Sequence, residues 1–586
     1  MKKVFSLFGK EFNLPWLGRT SEAIQSFSFT EKVIFGVFTT IFALSSLLMI
    51  LRVNTQFLIE VPRFGGVLKE GVIGTPRFIN PILAISETDR DLTSLVYSGL
   101  MRITPEGELI PDLALDFTVS EDGLEYIFTI RGDAIFHDGE PVTADDVVFT
   151  IEQAKNPSIK SSQRANWEGV IVEKISDNQV LFALPQPYSP FPSNTTIGIL
   201  PEHIWKDVSE EEFPFTQRNV NPIGSGPYMI SSVKRNSSGI AERYELNSFK
   251  NFALGKPYIE HIVFSFYKNE TELLTALGSG NVDSINSISP SAARQLEYDG
   301  YTVDQSPLPR IFGVFFNQSQ APILASKTVR NALNAAIDRE DIVNEVLAGY
   351  GTPATGPIPE SLIPFETLTG DGSSPEELSP TEKALKILSD GGFEMNESGF
   401  MERETDDGLE LLTLTISTAD VPELVSVAEK IIIAWKAAGA DVTLKVFDPN
   451  DFNQNVIRPR KYDAILFGEI IGRDLDFFAF WHSSQRNDPG LNIADYANID
   501  VDSALEDART LGDSPDKIEE LRTFVNEVEK DIPAAFVYSP DFIYVVPDNL
   551  RGITPDNLST PSERFLSIYD WYLETDTVWK IFNTST

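Results

Sequence analysis

The segment 461–484 holds the side chains of this chain that could do chemistry. It reads KYDAILFGEIIGRDLDFFAFWHSS, with Glu469, Asp474 and Asp476 close to several aromatic side chains. A buried carboxylate can bind a cationic group, and neighbouring rings can exclude water from the contact. The same composition also fits an acidic surface loop that covers an ordinary aromatic core.

The surrounding elements predict how this segment is held. The apolar run 462–467 indicates a buried strand that ends at Gly468, which places the acids in the following loop. Upstream, residues 411–417, 423–438 and 441–447 alternate as strand, helix and strand. This alternation predicts an α/β region with a mixed sheet, in which 462–467 is the next strand.

Other local signals predict secondary structure and no further chemistry. Thr143 and Asp146 have the spacing of an N-cap and the third helical residue. Residues 534–546 are apolar and predict a long strand. His137 is interpreted as a turn residue. The stretch 221–230, NPIGSGPYMI, lacks the spacing of phosphate-binding loops and of nucleophile elbows.

Charge and composition exclude several classes of function. The chain has 586 residues and a net charge of −39, from 47 basic and 86 acidic residues. Nucleic acid is excluded as a partner, because its phosphates would be repelled. The absence of cysteine excludes disulfides, thiol catalysis and iron–sulfur clusters. The 4 histidines are not paired at metal-ligand spacing, so we expect no metal and no cofactor.

The N-terminal part of the chain predicts a membrane anchor. Residues 33–51 are uncharged and would span about 28 Å as a helix, close to the hydrocarbon thickness of a bilayer. Basic residues outnumber acids before this run, so we expect a single pass through the cell membrane with the N-terminus inside. A cleavable signal peptide is the alternative, which the length of the preceding segment disfavours.

Six stretches in order resemble the extracytoplasmic solute-binding proteins of ABC importers, specifically the peptide-binding family of dipeptide and oligopeptide receptors. The resemblance covers about residues 65–544. The matching stretches are LVYSGLMRITPEGELIPDLA, YIFTIRGDAIFHDGEPVTADDVVFTI, NPIGSGPYMI, VRNALNAAIDREDIV, GYGTPATGPIP, and LFGEIIGRDLDFFAFWHSS with NIADYANIDVDSALEDAR.

The resemblance implies an α/β, two-lobed periplasmic-binding-protein-like fold with an extra subdomain. The apolar run 33–51 adds one N-terminal transmembrane helix before this fold. A hinge would run through residues 311–317 and 536–544. The implied division is a cytoplasmic segment 1–32, a signal anchor 33–51, a tether 52–64, a discontinuous lobe I 65–310 and 536–586 with the extra subdomain near 90–205, and lobe II 311–535.

The resemblance also implies a function and a site. The chain would be a monomeric, membrane-anchored receptor without enzymatic activity, which captures peptides between its lobes and delivers them to the permease subunits of an ABC importer. By family position, Asp474 would hold the peptide α-ammonium, with Asp476 as the second choice. The other expected groove residues are Trp481, Phe316, Asn317, Tyr97 and Gly226.

Three alternatives stay open at this stage. Ile471, Gly472, Leu475 and Phe477 stand where peptide-binding members often carry Trp, Tyr and Pro, so an oligosaccharide or a metal chelate is a possible ligand. A sensory ectodomain could use the same two-lobed closure without transport. A peptide hydrolase is disfavoured, because no nucleophile, base and orienting group can be assembled from the sequence.

Overall fold

The computed structural model describes residues 24, 26–363, 378–406, 408–472, 475–512, 514–553 and 558–580. The strands are β1 Leu58–Arg63, β2 Val67–Ile73, β3 Met101–Ile103, β4 Leu109–Pro111, β5 Ala114–Val119, β6 Glu125–Ile130, β7 Ile171–Ser176, β8 Gln179–Ala183, β9 Tyr228–Arg235, β10 Ala241–Ser248, β11 His261–Tyr267, β12 Ser284–Asn286, β13 Thr302–Pro307, β14 Arg310–Phe316, β15 Gly351–Pro353, β16 Glu394–Met395, β17 Met401–Thr405, β18 Gly408–Leu411, β19 Thr413–Ala419, β20 Asp441–Phe447, β21 Ala464–Ile470, β22 Ala534–Val546 and β23 Glu574–Trp579. The longer helices are α1 Phe29–Phe57, α2 Glu87–Val96, α3 Ala144–Lys155, α4 Glu270–Gly278, α5 Pro290–Tyr298, α6 Lys327–Ala335, α7 Arg339–Glu345, α8 Pro380–Asp390, α9 Pro422–Ala437, α10 Ile499–Thr510 and α11 Pro515–Asp531.

One mixed sheet connects most of the folded body. Its order is β20-β19-β21-β14-β22-β12-β2-β11-β10-β9, and β13 and β15 also pair with β22. The N-terminal half of β22 pairs with β14, and its C-terminal half pairs with β12 and β13. The single strand β22, at the residues predicted from the sequence, therefore joins two groups of strands.

Two large hydrophobic cores define two lobes. The core of lobe I is built from residues between 68 and 264, from Leu308 and from residues between 542 and 571. The core of lobe II is built from residues between 311 and 538. The chain therefore passes from lobe I into lobe II at β14 and returns to lobe I along β22.

Lobe I contains a second, four-stranded sheet with the order β5-β6-β8-β7. Its inner face buries Phe128 against Phe182, with the rings 5.6 Å apart. Helix α3 packs against β7 and β8. Asp146 accepts hydrogen bonds from the Thr143 backbone N–H at 2.8 Å and from its hydroxyl at 2.9 Å, which confirms the predicted start of this helix.

The N-terminal unit contains one long apolar helix. Its N-terminus is capped by Ser28, whose hydroxyl accepts from the Glu31 N–H while its own N–H donates to the Glu31 carboxylate. Residues Phe29–Asn54 have a mean hydropathy of 2.3, which by length and composition suffices to cross a membrane. Strand β1 follows this helix and pairs with β23. The segment expected to be a tether therefore contains the last helical turn and a strand.

Strand β21 is longer than the sequence predicts. The expectation that Gly468 ends the strand is wrong, because β21 continues to Ile470. Gly468 lies opposite Phe312, and a Cβ at this position would come within 2.5 Å of the Phe312 ring. The glycine therefore makes room for a ring on the neighbouring strand. Glu469 is a strand residue and does not belong to the acidic loop.

Candidate functional site

A cavity of about 500 Å³ lies between the lobes. Lobe I provides most of its wall, from helix α2, from the segments around β3 and β4, and from the loop 193–198. Lobe II contributes Ile470, the last residue of β21. The lining residues are Pro81, Ala84, Arg90, Thr93, Ser94, Tyr97, Gly99, Met101, Arg102, Ile103, Asp112, Gln163, Asn166, Ser193, Asn194, Thr196, Ile197, Gly198, Ile470, Thr560, Glu563 and Leu566.

The pairing of β14 with β21 shows which of their side chains lie on the cavity side of the sheet, the side on which Ile470 lies. Arg310 lies opposite Ile470, and Ile311 lies opposite Glu469. Side chains alternate along a strand, and directly opposite residues share a face. Arg310 and Ile470 therefore lie on the cavity side, whereas Ile311 and Glu469 lie on the core side, where both are buried.

Glu469 is a buried carboxyl group that is held inside lobe II. Its Oε2 accepts a hydrogen bond of 3.1 Å from the indole N–H of Trp481, and its Oε1 has no partner. Burial raises the pKa of Glu469 well above its usual value, and the single bond from Trp481 lowers this pKa only in part. Burial therefore disfavours the charged form of this acid, and its enclosure in lobe II leaves it no surface for a ligand.

Asp476 is used in a contact between the lobes. Its Oδ2 lies 3.1 Å from Arg509 Nε, and the Tyr188 hydroxyl lies 3.5 Å from the same oxygen. Its Oδ1 accepts from the backbone N–H of Phe478. Tyr188 packs against the core of lobe I, and Arg509 is on α10 of lobe II. Asp476 thus has partners on both lobes in this arrangement of the molecule.

The two large aromatic residues expected in the groove are core residues. Phe316 is 0% exposed and Trp481 is 1% exposed, and both belong to the core of lobe II. The Trp481 ring lies 6.2 Å from Phe315 and 5.8 Å from Phe524. Burial leaves these two side chains no surface for a ligand.

Asn317 follows the last residue of β14, and its side chain is fully hydrogen-bonded. Its carbonyl oxygen accepts from the backbone N–H groups of Ser319 and Gln320, and its amide donates to the carbonyl oxygen of Arg460 at 2.9 Å. Such bonds are typical of an asparagine that forms a turn. The structure therefore gives Asn317 a turn-forming role.

Tyr97 and Gly226 meet where lobe I borders the cavity. Tyr97 lines the cavity, and its hydroxyl is buried without a hydrogen-bond partner. Burial raises the pKa of Tyr97. The Gly226 N–H donates to the Val96 carbonyl oxygen at 2.8 Å, and a Cβ at Gly226 would come within 2.6 Å of the Leu95 carbonyl oxygen. Gly226 therefore permits this close approach and brings no side chain of its own to the cavity.

Asp474, the residue with the strongest sequence argument, lies outside the described residues, as does its neighbour Arg473. Within the described ranges, no group of three or more His, Asp and Glu side chains could hold a metal ion. His137 is half-buried at a turn, where its Nε2 lies 3.0 Å from the Gly226 carbonyl oxygen. Burial lowers its pKa to about 4, so it is neutral near pH 7.

Several cavity residues were missed by the sequence analysis. Arg102 and Asp112 form a buried ion pair, with Arg102 Nη2 2.7 Å from Asp112 Oδ2, and both line the cavity. Arg90 and Thr93 follow one another on the cavity side of α2. Arg102 and Asp112 both fall in the quoted stretch LVYSGLMRITPEGELIPDLA, but their pairing depends on the approach of β3 and β4.

The family model of the bacterial extracellular solute-binding proteins, family 5 Middle, matches residues 108–489, more than half of the chain. The chain belongs to this family. Its folded body is accordingly an extracytoplasmic domain, and the family consists of solute-binding receptors. This confirms the resemblance that was stated from the six sequence stretches.

Individual relatives cover nearly the whole folded body. The oligopeptide-binding protein AppA of Bacillus subtilis (strain 168) is 26% identical over 523 residues, which are 87% of this chain and 92% of AppA. The solved structure of AppA in complex with a nonapeptide has a TM-score of 0.68 at 25% identity and covers 88% of this chain and 100% of that chain. NikZ from Campylobacter jejuni, solved in complex with Ni(L-His), has a TM-score of 0.68 at 27% identity. The match covers 86% of this chain and 99% of the NikZ chain. The two-lobed fold is therefore confirmed.

Proposed function

We propose that this chain is a peptide receptor that captures peptides between its lobes and delivers them to an ABC importer. The observation that carries the proposal is the cavity between the lobes, in a chain that aligns with 92% of the oligopeptide-binding protein AppA. Hydroxyl, amide and charged groups alternate along its wall and can bond to a peptide backbone. We propose binding without catalysis, in keeping with the receptors of the family.

The test is to identify the ligand that the protein itself selects. We propose to purify the full chain in detergent and to release bound molecules for mass spectrometry, followed by calorimetry with a defined pentapeptide library. Co-purified peptides and saturable binding of the library are the expected results. Recovery of an oligosaccharide alone, with no binding of peptides, would show that the ligand class is wrong.

A nickel chelate is the second candidate, because NikZ is 27% identical to this chain and was solved with Ni(L-His). The described residues of this chain contain no cluster of metal-binding side chains. A chelate could still bind through its organic part. Metal analysis of the purified protein, together with titration of Ni(L-His), separates this candidate from the peptide.

We propose that Asp474 accepts the α-ammonium of the peptide. The proposal is supported by the two other acids of this segment, because Glu469 is buried inside lobe II and Asp476 is paired with Arg509. Asp474→Asn should weaken peptides with free N-termini by about tenfold or more, with little effect on acetylated ones. Asp500→Asn, an exposed acid in the first turn of α10, is the control. Equal losses for free and acetylated peptides would remove Asp474 from this role.

We propose that α1 anchors the protein in the cell membrane, with residues 1–32 inside. The proposal rests on the apolar stretch Phe29–Asn54 and on the basic residues before it. N-terminal sequencing of the membrane fraction tests it, and cleavage after the apolar run would contradict it. We also propose that the lobe boundaries lie at residues 310 and 535 and that the extra subdomain lies near 90–205. We further propose that the protein is a monomer, which light scattering tests.

A further inference from the structure

Arg310 is a charged side chain at the base of the cleft, and the described residues provide no hydrogen-bond or ion-pair partner for it. Its Nε is buried and has no hydrogen-bond partner, and Arg310 forms no ion pair with any described residue. The side chain as a whole is half-buried. A guanidinium stays charged near pH 7, so leaving its buried Nε without an acceptor is costly. An acceptor that arrives with the ligand would remove this cost.

The position of Arg310 relates it to both lobes. It begins β14, opposite Ile470, whose side chain is 51% exposed and lines the cavity. Burial and the charge of Arg90 lower the pKa of Arg310, whereas Glu87 and Glu423 raise it. Glu87 and Arg90 are on α2 of lobe I, and Glu423 is on α9 of lobe II.

The two acids near Arg310 are engaged elsewhere. Glu423 accepts a hydrogen bond of 2.8 Å from the Tyr538 hydroxyl, and Glu87 accepts one of 3.1 Å from the Ser287 hydroxyl. Neither carboxylate forms an ion pair with Arg310 among the described residues. The second nearby cation, Arg90, has an exposed side chain that lines the cavity.

We propose that Arg310, assisted by Arg90, binds a carboxylate of the ligand at the base of the cleft. A guanidinium can hold a carboxylate through two parallel hydrogen bonds, and a low-dielectric site strengthens such a bond. The inference rests on the proposed peptide function and adds a requirement for an anionic group. The carboxylate is either the C-terminus of the peptide or an acidic side chain.

The test compares three pentapeptide libraries on the full chain in detergent. The first has free C-termini and no Asp or Glu, the second is the same library with amidated C-termini, and the third is amidated but contains Asp and Glu. We expect the wild type to prefer the first over the second by about 10- to 100-fold if the C-terminus is bound. A preference of the same size for the third over the second identifies an acidic side chain.

The variants assign the effect to this site. Arg310→Gln should remove the preference for the carboxylate, Arg310→Lys should keep part of it, and Arg90→Gln should reduce it. Arg458→Gln, which removes an arginine with a 62% exposed side chain in lobe II, should leave it unchanged. Thermal melting checks the fold of each variant. If Arg310→Gln does not fold, the inference is tested with Arg90→Gln, because Arg90 is exposed.

Different results contradict the inference and the proposed function. If the wild type binds all three libraries equally, or if Arg310→Gln binds them with the same preference as the wild type, the carboxylate site is wrong and the peptide function stands. If no library binds to the wild type, the proposed function itself fails.

Discussion

The two lobes hold their buried arginines in different ways. In lobe I, Arg564 is 2.9 Å from Glu70 and 2.8 Å from Asp91, and all three side chains are buried. Tyr544 adds a hydrogen bond of 2.8 Å to Glu70. The second buried pair of this lobe, Arg102 with Asp112, is built in the same way.

In lobe II, the buried Arg330 is instead satisfied by backbone groups. Arg330 donates to the carbonyl oxygens of Leu324, Asp531 and Ile532, at 2.6–2.9 Å for its shortest bonds to each. Two of these acceptors, the carbonyl oxygens of Asp531 and Ile532, lie at the C-terminal end of α11, so Arg330 satisfies backbone groups that the helix leaves without a donor. Glu469 has one bond, from Trp481, and a raised pKa.

The difference predicts how each lobe responds to substitution. When one member of a buried ion network is removed, the remaining charges have no compensating partner. A second substitution that neutralises them can restore part of the stability. Removal of an arginine that is bound to carbonyl groups leaves only unsatisfied acceptors. A buried acid with a raised pKa makes the stability of its lobe depend on pH.

Loss of Arg564 should have the largest effect. Arg564→Met removes the partner of two buried carboxylates, so the free energy of unfolding should fall by about 3–5 kcal/mol in urea denaturation of the full chain. Adding Glu70→Gln and Asp91→Asn should recover part of the loss. The exposed Arg551→Met is the matched control, and an equal effect of both arginine variants would contradict the role of the network.

Loss of Arg330 should lower the free energy of unfolding by less, and we expect no second substitution to restore it. Arg330→Met leaves buried carbonyl oxygens without a donor and should cost about 1–3 kcal/mol in the same measurement. Arg403→Met is the control, because Arg403 forms a half-exposed ion pair with Glu410 and should matter by less than about 1 kcal/mol. A loss as large as that of Arg564→Met would remove the contrast between the lobes.

Replacement of Glu469 should change the pH dependence of stability. The folded pKa is raised, so the unfolded state gives up its proton first and the wild type loses stability as pH rises above about 4. Glu469→Gln does not ionise, so it should become more stable than the wild type as pH increases. Melting temperatures of both proteins between about pH 4 and pH 8 test this, and parallel curves would contradict it.

The contact between the lobes should give the smallest effect. Arg509→Gln or Tyr188→Phe should shift the equilibrium toward the open form by about 0.5–1 kcal/mol, because the contact is partly exposed and screened by salt. Energy transfer between dyes on the two lobes measures this. Arg522→Gln, on the exposed side of α11, should have no effect. A salt-independent distance would argue against an electrostatic contact.

Much of the fold could be predicted from local pattern. The strand 534–546 was predicted with the bounds that the structure gives to β22. The start of α3 was also predicted, because Thr143 and Asp146 form the expected capping box. Such signals lie within a few residues of one another, so no knowledge of distant contacts is needed.

The site was less predictable, since residue type does not tell which surface a side chain faces. Trp481 and Phe316 have the composition of a groove wall and are buried in a core. Glu469 was assigned to a loop because Gly468 suggested a strand end. Arg310 drew no attention, although its lack of a partner is the basis of the carboxylate site.

The sequence by itself determined the apolar N-terminal helix, the order of the family stretches, the start of α3 and the bounds of β22, because periodicity, caps and composition act locally. Only the tertiary structure decided which ionisable side chains are enclosed in a core, which are paired, and which are available to a ligand. That choice depends on strand register and on lobe contacts, which bring Asp476 to Arg509, Glu469 to Trp481 and Arg310 to Ile470.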